Sequence, residues 1–144
     1  MAAEVYEVFE HTADVGLRIA APSFDELLAE AARGLFSLIV EELREVRPVQ
    51  RIEIQIPRAQ TTPAASYLLF DWLNELLYTF ETRRLLLGEF RVKVENETLI
   101  GEAWGETIDP RRHRLDHEVK AITYHGLEVR QTHEGWEAQV IVDI

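Results

Sequence analysis

The stretch Phe90-Arg91-Val92-Lys93-Val94-Glu95-Asn96-Glu97-Thr98-Leu99-Ile100 decides the fold class. Phe90, Val92 and Val94 alternate with Arg91, Lys93 and Glu95, the period of two expected of a strand with one buried face. Asn96-Glu97 fits a hairpin tip, and Leu99-Ile100-Gly101-Glu102-Ala103-Trp104-Gly105-Glu106 runs back. From Phe90 onward the chain reads as strand. A polar loop over residues 109–117 comes next. Segments 119–124 and 127–129 are then expected to pair, through Glu134-Gly135, with residues 136–142.

Upstream of this antiparallel half the period changes. Ser23 with Glu26 three residues later is a capping-box signature, in which each side chain can satisfy an orphan amide. Phe24, Leu27, Leu28, Ala31, Leu35 and Ile39 follow at helical spacing, with Glu30, Arg33 and Glu41 on the other side, an amphipathic helix of about 20 residues. Thr62-Pro63 supplies a cap and a first-turn proline for a second helix. Leu68, Leu69, Trp72, Leu73, Leu76, Leu77 and Phe80 form its broad apolar stripe, while Asp71, Asn74, Glu75 and Glu81 take other positions. That helix is apolar enough to be the centre of the core. Residues 5–9, 15–20 and 51–56 read as further strands, the last two closed by Pro22 and Pro57. The expectation is one α+β domain over residues 1–144, with two amphipathic helices packed on a mostly antiparallel sheet.

Composition narrows the function classes. At 144 residues the chain fits one domain, and 47% hydrophobic with 28% charged residues is globular usage. There are no cysteines. Disulfides, thiolate nucleophiles and cysteine-ligated metals are therefore excluded, as suits a reducing cytosol. No signal peptide and no apolar run long enough for a bilayer is evident, so a cytoplasmic protein without membrane contact is expected. Fifteen basic residues against 26 acidic ones give a net charge of −11. Independent binding of RNA or DNA is not expected of such a chain, because phosphates must be neutralised. Arg111-Arg112-His113-Arg114 is the local exception and reads as a solvated loop after Asp109-Pro110. Among the basic residues only Lys93 and Lys120 are lysines, a mild sign of a heat-adapted source.

Two places carry candidate chemistry. His11-Thr12-Ala13-Asp14 is a polar knot between apolar strands, where a sheet often displays functional groups. The plain alternative is a turn held by Asp14 and Thr12. At the other end the strand pattern persists to the last residue, which tethers the terminal carboxylate of Ile144 beside Asp143. Fixed carboxylates suit a hard cation such as Ca²⁺ or Mg²⁺, with a frayed, solvated terminus as the alternative. His113, His117, His125 and His133 fall in loops or strand ends without ligand spacing and read mostly as surface histidines. His11 and His125 are the two with interesting neighbours, Asp14 and Tyr124. Lys120 could meet a phosphate or carboxylate, or simply face outward from its strand. No phosphate loop, nucleophile elbow or dinucleotide fingerprint is present, so catalysis by the chain alone is not expected.

Five ordered segments together resemble the archease family: Phe9-Glu10-His11-Thr12-Ala13-Asp14-Val15-Gly16, the 23–36 helix with Ala31-Ala32, Asp71-Trp72-Leu73-Asn74-Glu75-Leu76-Leu77-Tyr78, Val119-Lys120-Ala121-Ile122-Thr123-Tyr124-His125, and Val142-Asp143-Ile144. The resemblance implies an accessory protein of the RNA ligase that joins tRNA halves in tRNA splicing with GTP and Mn²⁺. Such a protein promotes guanylylation of the ligase, supports its multiple turnover and is not itself the ligase. It also implies a divalent metal site, Ca²⁺ in crystals with Mg²⁺ or Mn²⁺ as alternatives, formed by Asp14, Asp143 and the carboxylate of Ile144. His11 would then orient Asp14, Glu75 and Lys120 would shape the partner contact, and His125 would lie nearby. The acidic surface would dock on a basic ligase. Competing expectations are a general chaperone or tRNA-modification modulator, and a metal-dependent phosphoester hydrolase built on His11, Asp14 and Asp143.

Overall fold

The computed structural model describes residues 3–10, 14–57 and 65–144. Along them run β1 (Val5–Glu10), β2 (Asp14–Ala21), α1 (Phe24–Ile39), a 3₁₀ turn (Leu43–Glu45), β3 (Gln50–Pro57), α2 (Ala65–Arg83), β4 (Leu85–Glu95), β5 (Thr98–Thr107), β6 (Ala121–Ile122), β7 (Glu128–Gln131) and β8 (Trp136–Asp143). The strands form two sheets where the sequence suggested one, and each pairing is antiparallel. One sheet runs β1-β2-β8-β6, with β7 beside β6 on the same edge of β8; the other runs β3-β5-β4. The fold is α+β, as expected. No helix of the described residues is long and apolar enough to cross a membrane.

The 90–100 hairpin forms as the sequence predicts. Asn96 and Glu97 sit at φ 51° and 61°, the paired left-handed turn whose twist matches that of the flanking strands. β4 nevertheless starts five residues earlier than Phe90. Arg84, at φ 54°, ends α2 abruptly, and Leu85, Leu86 and Leu87 enter the sheet fully enclosed. A strand covered on both faces shows no alternation, which hides it from a period-two reading. The register then slips between Leu87 and Glu89.

α1, and not α2, occupies the centre. It packs on β2 and β1 on one side and on β4 on the other, so eleven of its 16 residues are buried. Its small residues permit this: a Cβ on Gly34 would lie 3.3 Å from Leu17 and 3.5 Å from Tyr6. The N-terminus is capped as expected, the Glu26 N–H donating to Ser23 Oγ at 3.2 Å. The helix stops at Ile39 because Val40 turns extended and bridges Leu115, which leaves Glu41 outside it. Glu30, expected on the outer side, is buried and ion-paired with Arg33 at 2.7 Å.

α2 covers the core with one face only. Trp72 is wholly enclosed, its indole N–H donating to the Leu28 carbonyl at 2.9 Å. Gly101 opposite makes room for the ring, since a Cβ there would meet Trp72 at 2.4 Å. Each large apolar side chain so enclosed contributes about 1.5–3 kcal/mol. Tyr67, Asp71, Asn74, Glu75 and Tyr78 remain exposed. The Thr62-Pro63 cap lies outside the described residues.

Candidate functional site: a carboxylate pair across β2 and β8

β2 and β8 align in continuous register from Ala21↔Trp136 to Asp14↔Asp143. Side chains alternate across this pair. Val15, Leu17, Ile19 and, opposite them, Val142, Val140 and Ala138 point into the core. Asp14 and Asp143 fall on the outer face, directly opposite one another. Cross-strand partners have Cβ atoms roughly 4.5–5.5 Å apart, and like charges in that position destabilise a sheet. A carboxylate opposed to a carboxylate is therefore a pairing that folding alone does not favour. The next residue, Ile144, turns its side chain onto the core, so its main chain continues beside Asp143.

The end of β8 is held from both edges. Across from β2, the Lys120 N–H donates to the Asp143 carbonyl at 2.8 Å. Thr123 bonds the Ile141 carbonyl twice, through its N–H at 3.1 Å and its hydroxyl at 2.8 Å. The outer face beside the pair is also filled. The Phe9 ring lies on Gly16, where a Cβ would come within 2.0 Å of it, and the Arg18 guanidinium stacks on that ring at 4.1 Å. Gly126 approaches Ile141 from the β6–β7 connection. The end of β8 that carries Asp143 is thus bonded along both edges, to β2 on one side and to Lys120 and Thr123 on the other.

The structure joins some of the expected site residues and separates others. Asp14, Asp143 and Ile144 come together. His11 lies outside the described residues, as do Thr12 and Ala13. Lys120 is tied to Asp143 through its backbone, while its side chain lines a neighbouring cleft of about 570 Å³ with Phe80, Glu81, Arg84 and His117. His125 is exposed on the β6–β7 connection. Glu75 lies on the outer face of α2, and among the described residues no contact links its carboxylate to the pair. Nor do the described residues contain a cluster of three His, Cys, Asp or Glu side chains able to hold a metal. The donor set on this face is two carboxylates with the adjoining main-chain oxygens of Ile144, which is hard-oxygen chemistry of the kind that fits Ca²⁺, Mg²⁺ or Mn²⁺.

One ionic cluster was not legible beforehand. His113, read as a surface histidine, is buried, and Arg112 is not a free solvated cation. The Asp109 N–H donates to His113 Nδ1 at 2.9 Å, so Nε2 carries the proton toward Glu106 Oε2 at 3.0 Å. The Arg47 N–H donates to the same oxygen at 2.8 Å, and Arg112 pairs with Glu106 Oε1. Burial pushes the Glu106 carboxyl up, but the bonds from Arg47, Arg112 and His113 outweigh it and hold it at about 2. The available signal was Asp109-Pro110, a turn former whose Asp109 Oδ1 accepts from the Arg111 N–H at 2.9 Å and folds the basic run back onto β5.

The architecture is a small α+β domain with a carboxylate pair on the outer face of its β2–β8 ladder. The chain belongs to the archease family, known as protein cofactors of RNA-processing enzymes. The sequence profile of the Archease protein family (MTH1598/TM1083) matches residues 6–144. The chain is 36% identical to the protein archease of Pyrococcus furiosus, over 96% of this chain and 98% of that one. It is 38% identical to that of Methanopyrus kandleri, over 96% and 99%. Protein 1598 of Methanobacterium thermoautotrophicum, solved in solution, superposes with a TM-score of 0.83 at 30% identity, over 96% of this chain and 98% of that one. A Thermotoga maritima archease, described as a possible chaperone, shares the fold at a TM-score of 0.63 and 23% identity.

Proposed function

We propose that this protein activates the GTP- and Mn²⁺-dependent tRNA-splicing RNA ligase in the cytoplasm, through a divalent cation held at the end of β2 and β8. Asp14, Asp143 and the carboxylate of Ile144 would hold the cation. The observation that carries this reading is the Asp14↔Asp143 register, which sets two like charges face to face on a clamped backbone. When bound, the cation would supply positive charge and Lewis acidity at this end of the sheet. Everything else is done by the chain. Lys120 and Thr123, on either side of β6, fix the strand end through their bonds to Asp143 and Ile141, the Phe9 ring covers Gly16 on the flank, and the acidic surface steers the domain to a basic partner. The protein performs no turnover of its own in this reading.

The test is single-turnover guanylylation of the cognate ligase by GTP and Mn²⁺, with and without the protein. Acceleration that is lost with Asp14→Asn and with Asp143→Asn supports the proposal. Acceleration that survives both variants assigns the activity to another surface, and none at all would leave the chaperone reading of the Thermotoga relative in first place.

A further inference from the structure

α2 and the β6–β7 connection together build a second surface, which includes neither Asp14 nor Asp143. Tyr67, Asp71, Asn74 and Tyr78 recur every three or four residues and so share the helix face opposite Trp72 and Leu76. Tyr67 is 42% exposed, Tyr78 60% and Tyr124 58%. Tyr124 lies flat on Phe70, centroids 4.0 Å apart and planes 14° from parallel, and meets Tyr67 edge-on at 5.9 Å. Ser66 and Leu127 complete a recess of about 240 Å³ beside Tyr67 and Tyr124. Three aromatic rings are thus gathered at the surface, with Asp71 beside Phe70 and Glu75 one turn further on.

Elsewhere the chain shows what its surface rings take. Arg18 stacks on Phe9 at 4.1 Å, Arg84 on Phe80 at 4.9 Å and Arg91 on Trp104 at 5.7 Å. Among the described residues no cation stacks on Tyr67, Phe70 or Tyr124. Asp71 is partly desolvated, which pushes its carboxyl up, so a cation beside it would gain more than at a fully hydrated carboxylate.

We propose that Tyr67, Phe70, Asp71 and Tyr124 form a docking site for an arginine-bearing segment of a partner protein. A guanidinium lying against the exposed Tyr67 ring, one helical turn before Asp71, can turn its N–H groups to the Asp71 carboxylate, with Tyr124 packed edge-on against Tyr67 as the adjoining wall, and Glu75 accommodates a second cation along the helix. Arginine is preferred to lysine because its planar, weakly hydrated head both stacks and bonds two oxygens at once. RNA bases could stack on the same rings, but Asp71, Glu75 and a net charge of −11 repel the phosphates that would accompany them.

The site depends on neither the metal nor the ligase, so the test uses the protein alone and can fail independently of the function proposed above. The ¹⁵N-labelled protein is titrated with a short arginine-rich peptide, its lysine counterpart and a single-stranded oligouridine. The arginine peptide is expected to shift the amides of residues 66–75 and 123–128 and to bind roughly tenfold tighter than the lysine peptide. Tyr124→Ala and Asp71→Asn, both at exposed positions, should each weaken it roughly threefold to tenfold while the remaining spectrum is retained. Shifts centred elsewhere, equal binding of the two peptides, indifference to both variants, or stronger shifts from the oligouridine would overturn the proposal.

Discussion

Two strand ends treat carboxylates in opposite ways. At the end of β5, Glu106 is enclosed by donors: the Arg47 N–H, Arg112 and His113. At the end of β2 and β8, Asp14 is placed in register with a second carboxylate, on the outer face. The first arrangement answers a buried charge from within the chain and ties the 109–113 turn to the sheet. The second sets two carboxylates directly opposite one another across the β2–β8 pair. A depressed carboxyl is thus no guide to function here: the strongly shifted group is structural, and the functional candidates stand out by register.

The largest test of this contrast is Glu106→Ala. It strips the acceptor from His113, Arg112 and the Arg47 amide at once, and about 3–5 kcal/mol of stability should be lost in urea unfolding. Acidification should reproduce part of that loss. Because the folded carboxyl is held at about 2, below its ordinary value, its contribution is fully present above pH ~4.5 and fades as the pH falls toward 2. The wild-type urea midpoint should therefore fall between pH 5 and pH 2.5 by more than that of Glu106→Gln.

Next in size is the response to added Ca²⁺ or Mn²⁺. At a hundredfold excess over the dissociation constant, wild type should gain about 2.7 kcal/mol, seen as a rise in thermal midpoint. Asp143→Asn should show none of it. Thr123→Val removes one of two bonds to the Ile141 carbonyl and should cost about 1 kcal/mol, with weaker metal affinity by calorimetry. Smallest of all, metal-free Asp143→Asn should be more stable than wild type by ~0.2–1 kcal/mol, because the opposed charges are relieved. If it is instead destabilised, the Asp14–Asp143 face is a structural cluster like the one at Glu106, and the comparison collapses.

Much of the fold was legible because its signals are local. The Ser23 cap, the Asn96-Glu97 turn and the alternation over residues 90–94 each act within a few residues. What escaped depended on what lies on both sides of an element. Leu85, Leu86 and Leu87 are strand because two layers enclose them, and α1 is central because Ala31, Ala32 and Gly34 let sheets close on it from both faces. The carboxylate pair was legible through the resemblance, since residues 14 and 143 share no local signal and only sheet topology sets them opposite. His113 was misread for the converse reason: its neighbours Arg111, Arg112 and Arg114 look solvated, and the partner that buries it, Glu106, lies on the preceding strand.

β8 sits between β2 and the β6–β7 edge, so the middle of that sheet is completed by a strand from one extreme of the chain pairing with a strand from the other. Nothing about Asp14 and Asp143 can be in place until that long-range closure has occurred, a step of high contact order and correspondingly slow. Helices and the 90–100 hairpin can form earlier, on local information. The carboxylate end therefore reports on completion of folding: a chain caught partway offers helices and hairpins but no paired carboxylates, and the metal uptake proposed above should, in a refolding experiment, follow the slowest phase.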